Sequence, residues 1–279
     1  MGFERRVYMD RSERVGSAYF YIEREVLKVP LHAMHSHSSY ELYYLVKGER
    51  EYFIEDRFFK ITAGDLVLIP GKILHRTAGE GGLRYLVHFS KGFVEKFFTE
   101  ATLTPLLKNQ PVVFRPENKE GSQIQSILNI MLSEFIQAER ERIPQNEPLL
   151  AGYLHQLLFL LAYTNNTYVV YDYADERITK IIQYINENFN HINDIDEVAE
   201  QFYISKFYLC RFFKKKLGIS LVSYLNKIKI MEACRRIQAG ETNLTEIAIK
   251  CGFNSSSYFC KVFKAEKGIS PTEYRRRHR

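Results

Sequence analysis

The sequence predicts an α+β protein of two domains: an N-terminal β-sandwich or β-barrel with an appended helix pair, then an all-α domain of about seven helices. Three observations carry that expectation. Short runs of aromatic and branched residues, punctuated by Gly and Pro, occupy residues 18–89. From residue 122 onward, apolar side chains recur at helical spacing instead. Between residues 194 and 270, one helical unit is written twice.

Residues 1–16, with Arg5, Arg6, Asp10, Arg11, Glu13 and Arg14, are too polar to hold structure of their own and form an arm. The barrel domain spans residues 17–165, a polar, Tyr-rich linker residues 166–175, and the helical domain residues 176–279. Strands are expected at 18–22, 41–46, 50–54, 66–69 and 83–89, separated by Gly48, Gly64, Pro70, Gly71 and the cluster between Gly79 and Gly82. A small barrel is a ready ligand cavity. Tyr43, Tyr85 and His88 line it if their strand faces point inward, and aromatic faces among polar groups suit a saccharide; otherwise they are core. Next, Ile124, Ile127, Leu128, Met131, Leu132, Phe135 and Ile136 mark a helix over 122–140. Leu150, Leu154, Leu157, Leu158 and Leu161 mark another over 146–163, with a turn at 139–144. This pair packs on the barrel or forms an isologous dimer seam. Ile178, Ile181, Ile182, Ile185 and Phe189 then open the helical domain.

Within that domain, Tyr208-Leu209-Cys210-Arg211-Phe212-Phe213-Lys214 leads to Gly218-Ile219-Ser220. It returns as Tyr258-Phe259-Cys260-Lys261-Val262-Phe263-Lys264, leading to Gly268-Ile269-Ser270. A short helix precedes each copy, with Ile195, Val198 and Ala199 or Leu244, Ile247 and Ala248 on its apolar face. Short helix, tight turn and longer basic helix make a helix-turn-helix. Gly252 supplies the second turn and Asn254 is placed to cap the helix after it; Ser205 caps in the first copy. The helix between the copies, residues 221–239, opens at Ser220 and closes at Gly240. Its length of roughly 28 Å approaches one turn of B-DNA, about 34 Å, so it is a strut between two reading heads. Base edges meet the first residues of each second helix. Those are Ser205, Lys206, Phe207, Tyr208 and Arg211 in the first head and Asn254, Ser255, Ser256, Ser257 and Lys261 in the second. Lys206 and Arg211 suit guanine, the serines base or phosphate, and the two tyrosines packing or phosphate.

Charge follows the same division. From residue 175 onward, 19 Lys and Arg stand against 12 Asp and Glu, a net +7; the rest carries 20 against 21, a net −1. The basicity belongs to the doubled unit, as a footprint for phosphate requires. Cys210, Cys234, Cys251 and Cys260 match no zinc spacing, and the equivalence of Cys210 and Cys260 predicts small buried core residues. The charged first residues lack the apolar segment of an export signal, and no run of about 18 apolar residues offers a membrane span. A cytoplasmic protein without a membrane partner is expected.

The series Thr245-Glu246-Ile247-Ala248, Gly252-Phe253, Ser257-Tyr258-Phe259, Phe263-Lys264 and Gly268-Ile269-Ser270-Pro271-Thr272-Glu273-Tyr274-Arg275 resembles the DNA-binding domain of AraC-type (AraC/XylS) transcription regulators. Upstream, His35-Ser36-His37 with Glu41 and Gly48, then Gly64, Pro70 and His75, resemble the two motifs of cupins, a jelly-roll barrel family. Val29 and Lys72 stand where that pattern has Gly. The resemblance implies a ligand-responsive, sequence-specific regulator: a homodimeric activator acting on RNA polymerase and bound to paired half-sites of double-stranded DNA, for which the aromatic pocket residues make a sugar the expected effector. In metal-binding cupins the equivalents of His35, His37, Glu41 and His75 converge on a divalent cation, whereas AraC-type sensors use a similar set for an organic effector. Metal ligands, effector contacts and a structural hydrogen-bonded set therefore all remain open. No catalytic residue and no obligatory cofactor are expected. The alternatives are a metal-dependent cupin enzyme tethered to DNA and an effector-free regulator controlled by abundance or a partner protein.

Overall fold

The computed structural model describes residues 19–27, 34–99, 111–141, 146–163 and 176–278. Two compact units make up the chain, Met1–Tyr173 and Ala174–Arg279. The expected arm and the expected linker lie outside the described residues.

In the first unit the described strands are β1 (Phe20–Val26), β2 (Tyr40–Lys47), β3 (Glu49–Ile54), β4 (Arg57–Thr62), β5 (Leu66–Ile69), β6 (His75–Ala78), β7 (Leu83–Phe89) and β8 (Val112–Phe114). Helices α1 (Lys91–Phe97), α2 (Asn118–Glu141) and α3 (Glu147–Tyr163) accompany them. The strands form two antiparallel sheets, ordered β1-β7-β2-β5-β8 and β4-β3-β6. Side-chain alternation decides the layers. Tyr43, Leu45, Val67, Ile69 and Leu86 of the larger sheet meet Tyr52, Ile54, Phe59 and Ile61 of the smaller in an inner core. On its other face the larger sheet packs Phe20, Leu42, Tyr44, Tyr85, Val87 and Phe89 against Phe93 of α1, Leu128 and Met131 of α2, and Leu154 and Leu158 of α3. Packing on the sheet thus accounts for most of the apolar stripes of both long helices, while Ile136 of α2 stays exposed.

Three strands and α1 escape the sequence pattern. Arg57 and Lys60 break the apolar run of β4, yet both point outward while Phe58, Phe59 and Ile61 are buried. The hairpin joining β3 to β4 turns through Glu55 and Asp56, with Glu55 at φ 56° and no Gly to announce it. In β6 the sequence His75-Arg76-Thr77-Ala78 is polar but three of its four residues are buried. β8 has only three residues.

The second unit holds α4 (Glu176–Asn188), α5 (Ile195–Gln201), α6 (Lys206–Leu217), α7 (Leu221–Gln238), α8 (Leu244–Lys250), α9 (Ser256–Lys267) and α10 (Pro271–Arg277). Its two copies share their stop and start signals. Asp194 and Asn243 cap α5 and α8, Ser205 and Ser255 cap α6 and α9, and Gly218 and Gly268 end those helices at φ 73°. The expected cap Asn254 is therefore corrected: Ser255 Oγ accepts from the Tyr258 N–H at 3.4 Å, and Asn254 stands exposed beside it. The second turn is one residue longer, which moves the cap along by one. Cys260 is also corrected, being exposed, and Cys210 is half-buried. Leu209 and Phe213, or Phe259 and Phe263, take the inner face of each helix and turn these cysteines outward.

Equivalent hydrogen bonds, Ile204 N–H to Ala199 O (3.0 Å) and Phe253 N–H to Ala248 O (2.9 Å), align Tyr203 with Gly252. Both are left-handed, at φ 54° and 75°, but a Cβ on Gly252 would lie 2.4 Å from Asn190 O, whereas Tyr203 is 96% exposed. Gly252→Ala is expected to lower the stability of the helical unit by more than about 2 kcal/mol, and Tyr203→Gly to raise it by up to about 1 kcal/mol. Urea titration followed by helical circular dichroism reads both; a neutral Gly252→Ala would mean that the turn relaxes away from Asn190.

Candidate functional site

What each second helix buries sets what it presents. On α6, Leu209, Phe213 and Leu217 turn inward, leaving Lys206, Phe207, Arg211, Lys214 and Lys215 exposed. On α9, Phe259, Val262 and Phe263 turn inward, leaving Ser256, Ser257, Cys260, Lys261 and Lys264 exposed. Arg211 makes no hydrogen bond or ion pair with the described residues, so its planar fork is available to a base edge. Lys206 is held differently. Its Nζ donates to Asp194 Oδ1 (3.0 Å) and Asp196 Oδ2 (2.7 Å), carboxylates at the start of α5 that raise its pKa. Phe207 is 74% exposed. Tyr208 stacks on Phe212, with ring centroids 5.6 Å apart, and the Tyr258 hydroxyl accepts from Asn226 Nδ2 at 3.1 Å, so both tyrosines have packing roles. Ser205 and Ser255 act as caps, and Asn254, Ser256, Ser257 and Lys261 are exposed on the second head.

In the first unit, Glu41 of β2 is the centre of a buried polar cluster. Its Oε1 accepts from the Tyr52 hydroxyl at 2.9 Å. Its Oε2 faces Nε2 of His37 (3.1 Å), His75 (3.4 Å) and His88 (3.7 Å). His35 joins through an isolated backbone bridge to His75, with N–H···O distances of 3.0 and 2.9 Å and rings 4.4 Å apart. His37 and His75 each donate Nδ1–H to a carbonyl, Ser39 O (2.9 Å) and Ile73 O (2.8 Å). Those bonds fix the tautomer of the neutral rings and aim both Nε2 lone pairs at a carboxylate oxygen. Lone pairs so placed repel unless a proton or cation lies among them. His75 Nε2 is buried with no hydrogen-bond partner.

The electrostatics agree with a crowded, water-poor cluster. Burial pushes the Glu41 carboxyl up, but His75 and His37 outweigh it and hold it well below the usual carboxylate range. Burial lowers His75, Glu41 raises it, and the net shift is upward. Burial, reinforced by His37, pushes His88 down to about 3. Donor atoms of His35, His37, Glu41 and His75 all lie within 4.8 Å of one another. Imidazoles with one carboxylate suit Zn, Mn, Fe or Ni, and a carbonyl behind each of two rings is the usual support for such ligands, so these residues fit a divalent metal.

Tyr85 does not join this site, which corrects the expectation for it. In β7 Arg84 and Leu86 alternate with Tyr85, Val87 and Phe89, and the latter three face the helices; the Tyr85 hydroxyl donates to Asn129 Oδ1 of α2. Tyr43 does lie inside, T-stacked on Tyr52 at 5.1 Å with the Arg84 guanidinium 5.3 Å from its ring centre. Sequence reasoning missed Tyr52. The available signal is the alternation in β3 that puts it on the inner face with Ile54. The departure at Lys72 is accommodated: Lys72 itself takes φ 72°, and Gly71 passes so near Ser38 that a Cβ there would lie 2.3 Å from Ser38 O.

The AraC-like ligand binding domain family matches residues 19–158, and a helix-turn-helix domain family matches residues 198–277. The chain belongs to the AraC family of transcription regulators. In this AraC-family regulator a ligand-binding domain precedes a DNA-binding domain with two helix-turn-helix motifs. It is similar to the HTH-type transcriptional activator RhaS of Mannheimia succiniciproducens, with 30% identity over 61% of this chain and 64% of RhaS. To the activator RhaR of an Enterobacter it is 25% identical over 88% of each chain. Among solved structures, unsaturated fatty acid bound ToxT from Vibrio cholerae covers 93% of this chain and 95% of its own, at 17% identity and a TM-score of 0.40. These relatives are named as regulators of transcription, in keeping with a regulator and not an enzyme. No described helix is long and apolar enough to cross a membrane.

Arg211→Ala is expected to weaken binding to the operator by about 1–3 kcal/mol, with the loss confined to sequences carrying the base that it reads. Lys206→Ala, whose charge Asp194 and Asp196 already engage, weakens binding less. Fluorescence anisotropy on operator and unrelated duplexes separates the cases, and an equal Arg211→Ala loss on both would make it a phosphate contact.

Proposed function

We propose that this AraC-family regulator is switched by a small oxygen-rich effector that binds its first unit at a divalent transition-metal site made by His35, His37, Glu41 and His75. The observation supporting this is the buried His75 Nε2, held toward Glu41 without a hydrogen-bond partner. A cation bound there would supply an open position for hydroxyl or carboxylate oxygens. Tyr52 holds Glu41 Oε1, which leaves Oε2 toward the imidazoles. The Ser39 and Ile73 carbonyls hold His37 and His75 in one tautomer, and His88, kept neutral by burial, offers a further polar contact to the effector. A sugar, with adjacent hydroxyls, meets these requirements.

The output is transcription activation through RNA polymerase, a reading that follows the names of RhaS and RhaR, by a homodimer that sets paired DNA-binding units on double-stranded DNA. Switching requires the effector to bind one arrangement of the regulator more tightly than the other.

Protein purified without a metal-chelating tag and stripped of metal is expected to gain stability with Zn, Mn, Fe or Ni, by about 2.7 kcal/mol at a hundredfold excess over Kd. His75→Ala and Glu41→Gln remove that gain. A sugar that stabilises metal-free and His75→Ala protein as well as the native chain would make the histidines direct effector contacts, and no response to any ligand would favour an effector-free regulator.

Residues 174–279 form a unit with their own buried core, so that fragment alone is expected to bind operator DNA in a gel-shift assay. An inactive but folded fragment would make reading dependent on the first unit.

A further inference from the structure

Along α7, Leu221, Leu225, Ala233 and Ile237 form a buried row at four-residue intervals, and its middle place is taken by Lys229. That lysine is only 6% exposed. Its Nζ donates to Gly252 O (2.7 Å), in the turn of the second motif, and to Ile192 O (3.1 Å), in the segment that leads from α4 into the first motif. It also lies 5.7 Å from the centre of the Phe253 ring. The same two segments touch directly, since Gly252 approaches Asn190 O too closely to admit a Cβ. Other links from α7 reach one side at a time. Lys227 Nζ meets Glu266 Oε2 (2.6 Å) and Asn226 Nδ2 meets the Tyr258 hydroxyl (3.1 Å) on α9, while the Tyr224 hydroxyl meets Asn186 Oδ1 (3.0 Å) on α4.

An apolar side chain would fill this place without the desolvation penalty of an ammonium. What it would lack is direction. Apolar packing tolerates small sliding, whereas an ammonium donating to two carbonyls holds only if both stay where they are.

We propose that Lys229 is a positioning residue that pins the two helix-turn-helix motifs to each other, so that the DNA-binding domain accepts two boxes at one spacing. The strut alone does not achieve this. At 18 residues α7 is about 27 Å long and sets the separation, but rotation of one head against the other is controlled at its middle, where the entry to the first motif meets the turn of the second.

The test uses the full chain, with an operator defined by selection from random duplexes, its versions with one base pair added or removed between the boxes, and single-box duplexes. The native protein is expected to lose about tenfold or more in affinity on either altered spacing, as misplaced base contacts predict. Lys229→Met keeps the stem and removes the donors. It should hold single-box affinity within about twofold, weaken the native two-box site and reduce the spacing preference below about threefold. Lys229→Arg, which keeps donors, should retain part of the preference. A Lys229→Met protein with the native spacing preference overturns the proposal. If Lys229→Met does not fold, Lys229→Gln and the native spacing series decide, and a native chain indifferent to spacing overturns it equally.

Discussion

A charge withdrawn from water has to be matched where it lies, and in each half of this chain one such charge gathers elements that are distant in sequence. In the first unit it is Glu41. Its two oxygens draw Tyr52 from β3, His75 from β6, His88 from β7 and His37 from the segment before β2. In the second it is Lys229, which joins the entry to one motif and the turn of the other. Leaving either group unmatched would cost several kcal/mol, comparable with the whole stability of a domain. A one-residue slip of β3 would send Tyr52 outward and strand the Glu41 carboxylate, so the polar cluster specifies register as firmly as the apolar core does.

A polar interior is tolerable because the apolar burial is done elsewhere. Helices α1, α2 and α3 cover the outer face of the larger sheet, which makes its central strands apolar on both sides. β5 reads Leu66-Val67-Leu68-Ile69 with all four residues buried. At about 25 cal/mol per Å² of apolar surface, that outer layer supplies hydrophobic stabilisation independently of the inner face. The inner face then accommodates Glu41, Arg50 and Arg84 beside its apolar residues. Arg84 is matched by Glu23 (3.2 Å) and Glu25 (2.7 Å), and Arg50 by the Gly79 carbonyl (2.5 Å). The charged and imidazole groups are thereby gathered between the two sheets, with Glu41 and His88 from the larger and Tyr52 and His75 from the smaller.

Much of this was legible in the residues, for identifiable reasons. The helical repeat carries its own caps and left-handed stops, β5 is a continuous apolar run, and β2 and β7 are rich in aromatic and branched residues. Periodicity did not single out His35, His37, Glu41 and His75; their match to the cupin motifs did, and the fold gathers them through the His35–His75 bridge and the start of β2. Illegible features depended on a neighbour's position. Tyr85 and Tyr52 are alike in type, but the parity of β7 turns one toward the helices and that of β3 turns the other toward Glu41. Asn254 and Ser255 are both good caps, and only the length of the turn chooses between them. Nor does periodicity reveal that Asp194 and Asp196 lie within reach of Lys206, since that contact crosses a turn.

The two heads differ where it matters for what they read. Between them the repeat preserves what packs: Leu209 and Phe213 correspond to Phe259 and Phe263, Ser205 to Ser255, Gly218 to Gly268. Outward it keeps cations, Arg211 against Lys261 and Lys214 against Lys264, but not the residues around them. The first head presents Phe207 and Arg211, an apolar ring and a planar cation, whereas the second presents Ser256, Ser257 and Lys261. An exposed aromatic favours the methyl group of thymine, a free guanidinium favours guanine and an exposed amide such as that of Asn254 favours adenine, whereas short hydroxyls discriminate weakly. Two heads with one framework and partly unlike surfaces need not read the same bases, so the doubled motif does not imply a repeated sequence in the DNA. What the repeat itself contributes is geometric: it sets two like frameworks on either side, in sequence, of one 18-residue helix.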